Sequence, residues 1–247
     1  MVKYILKKLN MELDGADYTD FVRSIAIKAK EQKKIKDTML FYYPVDTNEK
    51  EKLEFIAEGK IVNKEVSLTN FYIHHTSSEV WKGNLENYVD NVFVLKNGEK
   101  EVMLSLVNKD EAKEKENNIE VSAFGHSINI YKTEEEYIAS LKETNGIILE
   151  NGAILPLIYL NRMLENLEQN NMDRIVTVRG QIISLKQQNI NIYGIDAGDY
   201  ILATVKTNFG NLPVYFKYSS IEGKMPESIK EGDILVGNIS ITGKVRD

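Results

Sequence analysis

Nothing in this chain restricts its fold more than the strand-period alternation of residues 176–245. Val176, Val178, Gly180 and Ile182 alternate with polar neighbours, and Ile201, Ala203 and Val205 repeat the pattern. Val214, Phe216 and Tyr218 follow across the turn Asn208-Phe209-Gly210-Asn211. Glu231-Gly232-Asp233 then leads into Leu235, Gly237, Ile239, Ile241, Gly243 and Val245. A period of two places each set on one face of a sheet, and glycines within the run suit strands that bend sharply. Upstream, Pro156 opens a predicted helix to about Asn170, with Leu157, Leu160, Met163, Leu164 and Leu167 as its apolar stripe.

Five or so strands, a helix in front and a Gly-Asp entry to the closing strand resemble the small barrel of the oligonucleotide/oligosaccharide-binding type. An SH3-like barrel is the alternative. The resemblance is one of pattern and spans less than a third of the chain.

The preceding residues mix both periods. Tyr18, Phe21, Val22, Ile25 and Ala29 predict a helix over 17–36, ending in Lys28, Lys30, Lys33, Lys34 and Lys36. Strands are expected at 39–43, 53–57, 60–66 (after a turn at Glu58-Gly59) and 70–75. A hairpin follows at 92–107 around Asn97-Gly98, then a mobile charged loop at 108–118 and a strand over 119–131. Thr133 and Glu136 form a capping box for a helix at 134–142. No internal repeat is visible. The expected class is α+β, predominantly β. Residues 1–150 are expected as a mixed domain with an antiparallel sheet, and residues 151–247 as a helix plus barrel.

Composition narrows the chemistry. With no cysteine, disulfide frameworks, thiolate metal sites and cysteine nucleophiles drop out. Residues 151–247 hold equal numbers of acidic and basic side chains, so the net charge of −6 falls on residues 1–150. Neither part carries the basic footprint of a duplex-DNA binder. The longest apolar run, Ala153–Leu160, is broken by Pro156 and too short to span a bilayer. Met1–Asn10 lacks the apolar core and cleavage site of a signal peptide, which points to the cytoplasm and away from membranes. The sequon at Asn238 carries no meaning in that compartment.

No nucleophile elbow, phosphate loop, dinucleotide fingerprint or metalloprotease helix occurs. His74 and His75 are neighbours on a strand and face opposite ways, and His126 stands apart, so no metal centre, cofactor or catalytic residue is assigned. Asp196 and Asp199 suit a turn rather than a calcium loop, and Trp81 suits a core. The lysines of 28–36 fit a solvated face. The residues alternating with the barrel core supply the candidate site: Arg179, Gln181, Tyr200, Thr204, Lys206, Tyr215 and Lys217. Aromatic and basic groups on adjacent strands are what base stacking with phosphate neutralisation requires. A tyrosine-rich strand surface, or a face covered by the rest of the chain, accounts for the same pattern. The expected function is a non-enzymatic binding protein whose ligand is single-stranded nucleic acid. A protein–protein adaptor or inhibitor using the acidic half is the second reading, and a hydrolase the third.

Overall fold

Two sheets and two helices make up the regular structure of the described residues, which are 18–45, 53–144, 147–157, 175–192, 195–222 and 228–246 of a computed structural model. Strands dominate, so the chain is α+β and predominantly β.

The first layer begins with helix α1 (Tyr18–Ile27), which lays Phe21, Val22 and Ile25 on a four-stranded sheet. That sheet runs antiparallel in chain order: β1 (Glu31–Ile35), β2 (Thr38–Pro44), β3 (Leu53–Val62) and β4 (Glu65–His75). The helix expected to reach residue 36 thus stops at Ile27. Beyond Ala29 no apolar side chain continues its stripe, and the lysine-rich segment instead forms β1 against β2. The turn expected at Glu58-Gly59 is only a register shift. β3 runs through it and turns at Asn63-Lys64, both with positive φ (52° and 70°).

The second sheet has nine strands: β5 (Val80–Val89), β6 (Val92–Asn97), β7 (Lys100–Leu106), β8 (Asn117–Tyr131), β9 (Ile154–Pro156), β10 (Val176–Ile192), β11 (Ile195–Thr207), β12 (Gly210–Lys217) and β13 (Ile234–Arg246). Helix α2 (Glu134–Thr144) follows β8 at the expected place. The stripe expected over 157–170 lies, beyond Leu157, outside the described residues.

Pairing within this sheet closes two rings. β10, β11, β12, β8 and β13 form one, and β5, β6, β7, β13 and β8 form the other. Each is a five-stranded barrel with one parallel contact, β12–β8 in the first and β7–β13 in the second. The wall common to both is the β8–β13 ladder, which uses the whole length of β13. The expected boundary near residue 150 therefore falls between strands of one continuous sheet.

The absence of a repeat in the residue pattern hides a repeat in topology. β5–β8 and β10–β13 are equivalent units, each with a 3-10 turn (Lys109–Glu111, Tyr218–Ser220) before its fourth strand. Each fourth strand pairs with its own first strand, then crosses to lie parallel to the third strand of the other unit. Gly83 in β5 and Gly180 in β10 are matching points. A Cβ on either would sit 2.3 Å from a backbone carbonyl, of Lys96 or of Lys206, so only glycine lets first and second strands cross so closely.

A single apolar core fills both barrels. Leu235, Ile239, Ile241 and Val245 of β13 meet Ile119, Val121 and Ile128 of β8 within it, joined by Trp81, whose indole N–H donates to the Asn211 carbonyl at 3.0 Å. The loop at 108–118, expected to be mobile, is tied down by two buried asparagines. The Asn108 amide exchanges hydrogen bonds with the Val245 backbone (2.7 and 3.1 Å), and the Asn117 amide bonds back to Lys113 (2.7 and 3.0 Å).

Candidate functional site

The alternation places the candidate residues as expected, on the outer face of β10, β11 and β12. Tyr200 lies opposite Lys217, Tyr215 opposite Leu202, and Gln181 opposite Lys206. The accessible platform expected there requires correction. Tyr200 and Tyr215 are 0% and 1% exposed, and Lys217 and Arg179 are buried as well. The first layer covers this face, packing Phe41, Phe55 and Phe71 of its sheet and Phe21 of α1 into one cluster with Phe124, Tyr200, Leu202 and Tyr215. The Tyr215 ring meets His75 edge-on at 4.9 Å, and its hydroxyl donates to Gln188 Oε1 at 2.6 Å. Lys217 Nζ lies 4.9 Å from the centre of the Tyr200 ring. Burial raises the Tyr200 phenol pKa, and its oxygen has no hydrogen-bond partner.

Arg179 points elsewhere and has structural work. Its guanidinium stacks 4.3 Å above the Tyr137 ring, bonds the Leu149 carbonyl and pairs with Glu134, clamping α2 and the following segment to β10. Of the candidates, Gln181 and Lys206 are exposed and Thr204 is half-buried. One cation beside one amide is a meagre surface for a polyanion.

The outer face of the shared ladder forms a second polar concentration, also beneath the first layer. Ser122 of β8 accepts the His75 amide at 3.0 Å and shares a hydrogen bond with His74 Nδ1 at 3.2 Å. His74 Nε2 stands 3.7 Å from Glu120, which accepts the Ser77 amide at 2.7 Å and pairs with Arg246. Lys244 of β13 reaches Glu54 at 3.8 Å and lies over the Tyr42 ring at 4.6 Å, while His126 bonds Ser240 at 2.6 Å. Burial pushes the Glu120 carboxyl upward, but His74, the Ser77 amide and Arg246 outweigh it and hold the group below its ordinary value. Ser122, His74 and Glu120 have the order of an acid–base relay, and all three are buried. Among the described residues, no three His, Asp or Glu side chains gather as metal ligands.

No family model, curated protein or solved structure matches this chain. Its own surface is therefore the guide. A groove of about 670 Å³ opens between the C-terminal half of α1 and the β3–β4 hairpin, floored by Phe41, Leu68 and Ala26. Its walls carry Ile27, Val62 and Val66, which are 75%, 54% and 43% exposed. Sequence reasoning missed this site. The available signal was a pair of valines flanking an Asn-Lys turn, where polar residues are the rule.

Proposed function

We propose that this chain is a non-enzymatic binding protein that works through contact with another protein. The observation carrying this reading is the use already made of the aromatic and basic face of β11 and β12, where Tyr200 and Tyr215 pack against the chain's own first layer and Lys217 is buried over the Tyr200 ring. A face spent on internal packing is not available for stacking bases. The exposed apolar groups that converge elsewhere, in the groove beside α1, suit protein contact instead. The total charge of residues 1–150 is acidic, but the groove is not, so the adaptor reading shifts from the acidic half at large to this one surface.

Affinity capture on the full chain, with and without nuclease, tests the reading. A stoichiometric protein partner that survives nuclease, with no rise in the 260/280 absorbance ratio, is the expected result. Capture abolished by nuclease, or a labelled single strand bound at low salt by tens of micromolar protein, returns the nucleic-acid reading to first place.

A further inference from the structure

We propose that the seam between the first layer and the barrels is a pH-responsive contact, loosened in mild acid by protonation of buried histidines. The chain has three histidines, and all three are buried on this seam. His74 and His75 end β4, and successive strand residues face opposite ways. β4 therefore sets one imidazole against the β8–β13 ladder and the other against β12. His126 is the extra residue of a β-bulge, because Asn238 pairs with Ser127 and Ile239 with Gly125. A bulge re-aims one side chain, and here it turns the imidazole onto Ser240 on the outer face of the ladder. Residues 76–79 are the chain connection between the first layer and β5, so the layer is free to loosen while the barrels stay closed.

The groups facing each imidazole set the sign. His74 is met by Glu120 at 3.7 Å and by Glu54, its cross-strand neighbour on β3. Those carboxylates are themselves paired with Arg246 and Lys244 of β13. A proton on His74 thus meets a countercharge, and the drive to loosen comes from the other two. His75 faces Leu53 of β3, the Tyr215 ring of β12 and, through its backbone amide, Ser122 of β8. His126 faces the Ser240 hydroxyl of β13 and the Phe124 ring at 6.3 Å. Beyond Phe124 comes Tyr200 at 6.2 Å, with the Lys217 ammonium 4.9 Å over its ring. Rings and hydroxyls are poor countercharges for an imidazolium, and a buried lysine repels a second cation where the dielectric is low. In water an imidazole takes up its proton near pH 6.5, so the loosened state binds more protons and gains population as pH falls. Two imidazoles that are neutral when docked and hydrated when released shift the balance by up to about a hundredfold between pH 7.5 and pH 5.5. That window lies above the ordinary carboxylate range. The face uncovered by such loosening is the aromatic and basic one of β11 and β12.

The test is amide hydrogen exchange on the full chain at pH 7.5 and pH 5.5, each rate divided by the intrinsic rate at that pH. Amides of β2, β3 and β4 should lose protection at least tenfold at pH 5.5, while those of β6 and β7 keep theirs. The double variant His75→Gln with His126→Gln should flatten this pH dependence, whatever it does to protection at pH 7.5. Equal protection of the first layer at both pH values overturns the proposal. So does a loss shared equally by β6 and β7, which is unfolding of the whole chain rather than loosening of the seam. An unchanged pH dependence in the double variant overturns it too. Should that variant fail to fold, the imidazole carbon-bound proton resonances of the parent chain decide. His75 and His126 should keep their neutral positions as long as the first layer is protected, and titration of both near pH 6.5 in the protected chain overturns the proposal.

Discussion

The same substitution at two neighbouring tyrosines should have opposite signs. Tyr200 and Tyr215 lie on adjacent strands beneath the first layer, but the Tyr200 hydroxyl has no hydrogen-bond partner whereas the Tyr215 hydroxyl donates to Gln188 at 2.6 Å. A buried hydroxyl without a partner costs about 1–3 kcal/mol by protein mutational data. Tyr200→Phe removes that cost while keeping the ring against Phe124 (6.2 Å between centroids), so a gain of about 1 kcal/mol is expected. Tyr215→Phe discards a buried hydrogen bond to Gln188, with an expected loss of about 1–2 kcal/mol. For a chain of this length each kcal/mol moves Tm by about 2–4 °C. Urea denaturation of both variants beside the parent reads the two signs directly. If the face were open to solvent, both changes would fall within about 0.5 kcal/mol of zero. Two near-zero values would refute the covered face, and a destabilised Tyr200→Phe would refute the unpartnered hydroxyl.

Further expectations come from the ladder and the paired barrels. Gly83→Ala and Gly180→Ala should each cost about 1–3 kcal/mol or more, because both Cβ atoms would meet a backbone carbonyl, and chemical denaturation should rank them alike. Glu120 has a depressed pKa when folded, so its contribution is present above its unfolded value near pH 4.5 and is lost as pH falls through the folded value. Glu120→Gln should therefore be less stable at pH 7 yet flatter in urea titrations carried from pH 5 to pH 3, and a parallel acid limb in both chains would remove Glu120 as its source. A fragment 151–247 lacks β8, the neighbour of both β12 and β13, and should give a collapsed NMR spectrum. Dispersed amide peaks from it would show that the barrel closes without that strand.

Alternation proved the most informative local signal, and its limit is physical. A period of two states which side chains share a face, so the strand residues Val176, Ile201, Val214 and Leu235 were assignable to one core from the residues alone. It is silent about what covers the opposite face. Tyr200, Lys217, Glu120 and Ser122 have the polarity of a wetted surface, and only the position of the first layer makes them interior. The same limit hid β8 as a barrel strand, because two of its partners, β12 and β13, lie about a hundred residues away and leave no local mark. The helix over-extended to residue 36 failed differently. Lysines tolerate helix and edge strand alike, and the pairing of β1 with β2 decided between them.

The exchanged fourth strands also set a timetable for synthesis. When β8 leaves the ribosome, its barrel partners β5, β6 and β7 are already made, but neither ring can close until β13 arrives roughly 100 residues later. At translation rates of roughly 5–20 residues per second, that is a wait of about 5–20 s with open strand edges and an unfilled core. A nascent chain in that interval offers edges to any neighbour, a hazard that a pair of independently closing barrels would not share. A stop codon just before β13 would therefore unmake both barrels at once, turning the loss of the last 14 residues into a lesion of the whole molecule.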